Sequence, residues 1–293
     1  MSYHAHEEMV APARKRRELW RLGAGLILFL VMAAVLNGLL FQAIRTLWPD
    51  WFFGALVGHG LGTTPWAMLL LLCSFGLGTL AAGLMVRLLH NRAFLTMTGP
   101  PAAVMRDFWA ALRILMPVML VLMLIPTPTD SALIPNLAMG TWLAFLPLAL
   151  IALLIQVSAE EILFRGYLQQ QLAARFRSPL IWMLLPSALF AVGHYDPEAG
   201  KAAPYVVIWA CLFGLAAADL TARAGNLGPA IAMHLVNNAS AMLIASAPDN
   251  FSGLSLYHLP FSLSDFDQVS PYLAIDLVSL LVAWLACRLG IRR

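Results

Sequence analysis

Two carboxylates, two histidines and an amide stand out in a chain that is otherwise 61% hydrophobic and 11% charged. They fall in three short motifs. The first is Ser158-Ala159-Glu160-Glu161-Ile162-Leu163-Phe164-Arg165-Gly166, which continues a long apolar run. Adjacent residues on a helix point about 100° apart, so Glu160 and Glu161 cannot share a face. Glu161 and Arg165 are four apart and do share one, in the favourable order for an ion pair. Arg165 is therefore expected to neutralise Glu161, leaving Glu160 without a local counter-ion. A partly desolvated carboxylate in that position is a candidate general base. The plain alternative is a charged cytoplasmic helix end with both glutamates solvated; Ile162, Leu163 and Phe164 inside the motif weigh against it.

The second motif is Phe190-Ala191-Val192-Gly193-His194. Taken alone, His194 reads more simply as an interfacial histidine before Asp196-Pro197. The third is His234-Leu235-Val236-Asn237-Asn238, in which His234 and Asn238 share a helical face. Polar residues of this kind commonly glue membrane helices together. A histidine and an amide on one face also supply two donors that could hold a tetrahedral oxyanion. Taken together, the three motifs form the inventory of a hydrolytic site, with a base for water and donors for the oxyanion. Alternatively, Glu160, His194 and His234 make a two-His-one-carboxylate set able to bind zinc, which would activate its water. Rival chemistries lack their residues: the chain has no HExxH, GxSxG, GxSG, GxGD or GxxxxGK[ST].

These residues must be positioned by membrane helices. A soluble domain carries about 25% charged residues, so the composition excludes soluble enzymes and nucleic-acid binders. A membrane-crossing helix needs about 20 mostly apolar residues. Eight candidate spans follow, at roughly 22–43, 66–89, 108–126, 139–157, 179–195, 203–222, 227–246 and 271–289. The expected fold is an all-α polytopic bundle. It divides into a cytoplasmic tail at 1–21, N-terminal spans at 22–138, a core carrying the motifs at 139–246, and an outer loop with the last span at 247–293.

The first span follows Arg14, Lys15, Arg16, Arg17 and Arg21, and is read as a retained signal anchor. With the N-terminus cytoplasmic, 16 of the 18 Lys and Arg residues fall on the cytoplasmic side, leaving only Arg45 and Lys201 outside. That obeys the positive-inside rule and puts Arg288, Arg292 and Arg293 at a cytoplasmic C-terminus. Asp249, Asp265 and Asp267 lie in the outer loop near 247–270. Cys73, Cys211 and Cys287 are odd in number and far apart, so neither a disulfide framework nor a thiolate metal site is expected. Asp219 is expected to pair with Arg223 at i+4, and Asp276 to be interfacial.

Glu160-Glu161-xxx-Arg165, Phe190-xxx-His194 and His234-xxx-Asn238, in that order, resemble the motifs of the CPBP intramembrane proteases. That family covers CAAX proteases of the type II prenyl-endopeptidase kind and bacteriocin-processing enzymes, and is also called ABI. The resemblance covers roughly residues 140–246. It implies an eight-helix bundle with a water-accessible cavity and peptide-bond hydrolysis near the membrane surface. By the same resemblance Glu160 and His194 activate water, His234 and Asn238 form the oxyanion hole, and Glu161, Arg165 and Phe190 support the site. Four groups then complete a mechanism without a cofactor, with zinc on Glu160, His194 and His234 as the alternative.

The implied partners are a peptide or membrane-protein substrate and the lipid bilayer. The implied location is the bacterial inner membrane, with both termini cytoplasmic. Two other classes stay open: a non-catalytic scaffold or bacteriocin-immunity factor of the same fold, and a transporter using Glu160 and His194 as a proton relay. One tension remains in helix counting at about 1.5 Å per residue. Glu160 lies about 12 Å deep if its helix leaves the membrane near Gln169, but His194 lies about 20 Å deep from Pro179.

Overall fold

The computed structural model describes residues 3–58, 62–124, 132–248 and 251–292. Asp249 of the outer loop and Arg293 of the C-terminus lie outside these described residues. The apolar runs fold as helices because a bilayer offers a backbone N–H or C=O no partner except other backbone. In chain order they are α1 (His4–Val10), α2 (Leu19–Leu47), α3 (Pro65–His90), α4 (Pro101–Leu122), α5 (Met139–Arg175), α6 (Leu180–Val192), α7 (Ala203–Ala224), α8 (Gly228–Ala239) and α9 (Phe266–Ile291). Local residues set their ends. The Thr64 hydroxyl accepts from the Ala67 N–H and caps α3, with Pro65 in its first turn. The Asp265 carboxylate accepts from the Gln268 N–H at the start of α9.

Among the described residues, five helical segments are long and apolar enough to cross a membrane: α2, α3, α5, the stretch Pro197–Ala224 that contains α7, and α9. The other three expected spans are helical but do not meet that measure. The helix α4 carries Arg106, Asp107 and Arg113, α6 is short, and α8 has only 12 residues before the chain widens into a π turn at Ser240–Ile244. The protein is thus mostly helical and multi-pass, and five of the eight expected spans qualify by length and composition among the described residues. Large apolar side chains such as Leu30, Val31 and Leu39 on α2 face outward, where lipid replaces water. Only Gly25 and Ile44 of α2 are buried.

The centre of the bundle is α8. It packs against α4, α5, α7 and α9, and nine of its twelve residues are buried, His234 and Asn238 among them. Small residues make this possible: a β-carbon on Gly228 would stand 2.3 Å from the Val104 carbonyl oxygen of α4. The expectation of an all-helical chain misses one feature. Ile134–Pro135, Ala245–Ser246 and Tyr257–His258 form a three-stranded cap, with the third strand central, antiparallel to the first and parallel to the second. Strands of two residues leave no period to read. The Asn136 side chain pins this cap by donating to the carbonyls of Ser252 and Ser255.

The N-terminal segment docks onto the end of the bundle where α7 turns into α8. The Tyr3 hydroxyl donates to Asp219, which also pairs with Arg223 at 2.7 Å. Ala5 packs on Gly225, a residue at φ +70 where a β-carbon would be both strained and blocked. His6 is buried, stacks on Trp182 at 4.5 Å, and has its Nε2 3.4 Å from Gln169 Nε2.

Burial pushes the His6 imidazole down from 6.5 to about 4. The unfolded segment therefore binds the extra proton first, and docking weakens as pH falls through the window from about 6.5 to about 4. Limited proteolysis of the N-terminal segment should accelerate across that window and stay flat above it. His6→Phe should remove the pH dependence; an unchanged profile in that variant would assign it to another group.

Candidate functional site

The first motif lies two-thirds of the way along α5, a helix of 37 residues. Just past Glu161 the helix widens to an i→i+5 pattern over Ile162–Gln169, a distortion frequent at functional sites. Glu161 is fully buried. Its Oε1 accepts from Arg165 Nη1 at 2.9 Å and from His234 Nδ1 at 2.8 Å. Arg165, 1% exposed, also donates to the Gly214 carbonyl on α7 at 3.2 Å. Its guanidinium stands over the Phe190 ring at 4.8 Å. A buried cation is thereby satisfied by a carboxylate, a carbonyl and an aromatic ring, as burial requires. Gly166 has its own reason: a β-carbon there would sit 2.9 Å from the Met97 carbonyl oxygen.

Glu160 is turned away from this pair and is partly exposed. Its nearest ionic neighbour is His234, with Oε2 3.5 Å from Nε2, and that oxygen has no hydrogen-bond partner. Arg165 is engaged by Glu161, and the group that faces Glu160 is the His234 imidazole, which is a counter-ion only when protonated. One imidazole stands between the two carboxylates, because α8 crosses α5 at this level, and sequence spacing along α5 cannot reveal that. His234 Nδ1 faces a carboxylate that only accepts, so it carries the proton. Nε2 is then the edge that faces Glu160.

His194 is set by the same logic. It lies just beyond α6 and is exposed. Its Nδ1 is 2.9 Å from the Phe190 carbonyl, which can only accept. Nδ1 carries the proton and Nε2 presents a free lone pair. Phe190 joins the parts: its ring touches those of His194 at 4.3 Å and His234 at 6.0 Å as well as Arg165. Asn238 is the outer member. Its Nδ2 donates to Gln156 Oε1 at 2.9 Å and its Oδ1 accepts from Asn237. His234 and Asn238 thus both face α5, each engaged by a different α5 side chain. The Asn238 amide keeps one further N–H to give.

Gln156 escaped the sequence reading. The signal for it was present: a buried amide in an apolar run, four residues before Glu160 and on its face. The depth mismatch also has an explanation. The helix α5 runs on to Arg175 instead of ending near Gln169. Counted from the α5–α6 turn, Glu160 and His194 both lie about 20 Å along their helices, at about 1.5 Å per residue. Among the described residues, no three His, Cys, Asp or Glu side chains are gathered closely enough to hold a metal ion. Glu160, His194 and His234 have the donor types that zinc takes but do not form a ligand set.

Residues 141–240 match the Rce1-like family model, described as type II CAAX prenyl endopeptidase Rce1-like. This is the family that the three motifs resemble, and the matched segment contains all of them. The Uncharacterized protein YyaK of Bacillus subtilis (strain 168) is 35% identical over 104 residues. That match spans 35% of this chain and 34% of YyaK, so about a third of the relative's length is covered. No solved structure matches.

Removing one partner of a buried pair strands the other, at a cost of about 3–5 kcal/mol. Arg165→Met should lower the melting temperature in detergent sharply. The double variant Glu161→Leu/Arg165→Met should recover much of the loss. Wild-type melting of Arg165→Met would show that Glu161 needs no cation.

Proposed function

We propose that this protein is an intramembrane endopeptidase that hydrolyses a peptide bond without a resident metal. The observation that carries the reading is His234 standing between two adjacent glutamates that differ in environment. Glu161 is sealed and held by Arg165 and His234. Each carboxylate keeps one oxygen free of hydrogen bonds, but only Glu160 is partly exposed, at 17% against 0%. One carboxylate is structural and the other is available for chemistry.

Water enters beside His194, where α6 stops short and the backbone turns through Gly193–Asp196. Non-helical backbone at membrane depth is tolerated where it lines a wet cavity or is buried in protein. Glu160 takes a proton from the water with help from the free Nε2 of His194, and the oxygen adds to the carbonyl carbon. The oxyanion that forms is met by the second Asn238 N–H and by His234, which takes a proton from solvent on Nε2 before the attack and returns it when the oxyanion collapses. Transfer of the water's proton from Glu160 to the departing nitrogen completes cleavage and restores the site.

The substrate class is a peptide or a membrane protein reached within the bilayer. The family match and the concentration of Lys and Arg at one end of the helices support a multi-pass inner-membrane location with both termini cytoplasmic.

General-base catalysis is worth about 10²–10⁴-fold and an oxyanion-hole donor about 10²–10³-fold. Glu160→Gln should lose cleavage of a peptide or membrane-protein library by at least about 100-fold. Asn238→Ala should lower kcat by about 100-fold or more with little change in KM. Full cleavage by Glu160→Gln would overturn the assignment. Substrate-dependent proton flux in proteoliposomes without cleavage would replace it with transport.

A further inference from the structure

A chamber lies beside α8, which lends it Met233, Val236 and Asn237. It holds about 530 Å³, within the range of specific ligand sites. Its walls come from α4, α7, α8 and α9, and residues of the outer loop such as Phe251 and Phe261 close over it. Met119, Met123, Met233 and Val236 make it apolar. Two polar groups break the pattern. Asp276 of α9 lines the chamber, is exposed, and has no hydrogen-bond or ionic partner among the described residues. Trp209 of α7 also lines it, and its indole N–H is buried without an acceptor.

An acceptor with no donor and a donor with no acceptor, in one apolar space, are what a bound ligand would satisfy. A carboxylate in a membrane span is expensive and needs a partner, so charge complementarity selects a cation. The chamber is also coupled to the candidate active site. Phe213, on its wall, packs edge-on against His234 at 4.8 Å. Asn237, on the same wall, donates to Asn238 at 3.2 Å.

We propose that this chamber binds an apolar peptide segment carrying one basic side chain, whose cation pairs with Asp276 while a backbone carbonyl accepts from Trp209. That the segment belongs to a substrate rests on the proteolytic reading above; its binding does not. Contacts through Phe213 and Asn237 then let an occupied chamber set the positions of His234 and Asn238.

The test uses two labelled peptides of leucine and alanine, one with a central lysine and one with norleucine in its place. They are titrated in detergent against the full chain carrying Glu160→Gln, so that neither is cut. A charged pair of this kind should favour the lysine peptide by about tenfold or more. Asp276→Asn in that background should abolish the preference, and Asp276→Glu should keep it. Equal binding of the two peptides, or a preference that survives Asp276→Asn, would overturn the proposal. A lysine preference of the wild-type chain that cleaves neither peptide nor any library member would uphold the chamber and sink the protease.

Discussion

Glu161 has no water to solvate it, and the centre of the bundle is arranged around that fact. A fully buried carboxylate on α5 must find donors inside the protein. It finds two, Arg165 one turn along the same helix and His234 on α8. Arg165 brings its own demand, met by the Gly214 carbonyl of α7 and the Phe190 ring of α6. A single charge thus ties four helices to one another. None of these partners is interchangeable with solvent, so the contacts specify one arrangement of the helices.

This arrangement separates two neighbouring residues of the same type. A step of about 100° around the helix sends Glu161 into the packed interior and Glu160 towards the partly exposed side. His234 spans the gap, with one ring nitrogen for each carboxylate. The protons on both histidines follow from what each Nδ1 meets: a carboxylate for His234 and a backbone carbonyl for His194. In both rings Nε2 is left as the edge available for chemistry. Phe190 earns its place in the second motif as the plate against which Arg165, His194 and His234 are set.

Helix packing also explains why short elements suffice at the centre. The buried helix α8 need not cross a bilayer, because other helices surround it and present it with apolar side chains. Its small residues let backbones approach closely, as Gly228 does with α4. The peripheral α2 shows the opposite design, long and apolar with little of it buried. The N-terminal segment thickens one end of the bundle, where Tyr3 and His6 replace water contacts with Asp219 and Trp182.

The sequence by itself determined what is governed by local chemistry. Apolar run lengths marked the helices, and the i, i+4 spacing of Glu161 and Arg165 marked their pair. The three motifs marked the resemblance to the Rce1-like family, whose model matches residues 141–240. Tertiary structure decided what depends on helices meeting. It set His234 between both glutamates, Gln156 against Asn238, and Arg165 over Phe190, pairs separated by 25 to 82 positions along the chain. It also extended α5 to Arg175 and set Asp276 on the wall of a chamber. The physical reason is the same each time. Helical periodicity fixes which side chains share a face, but only the crossing of two helices selects which faces meet.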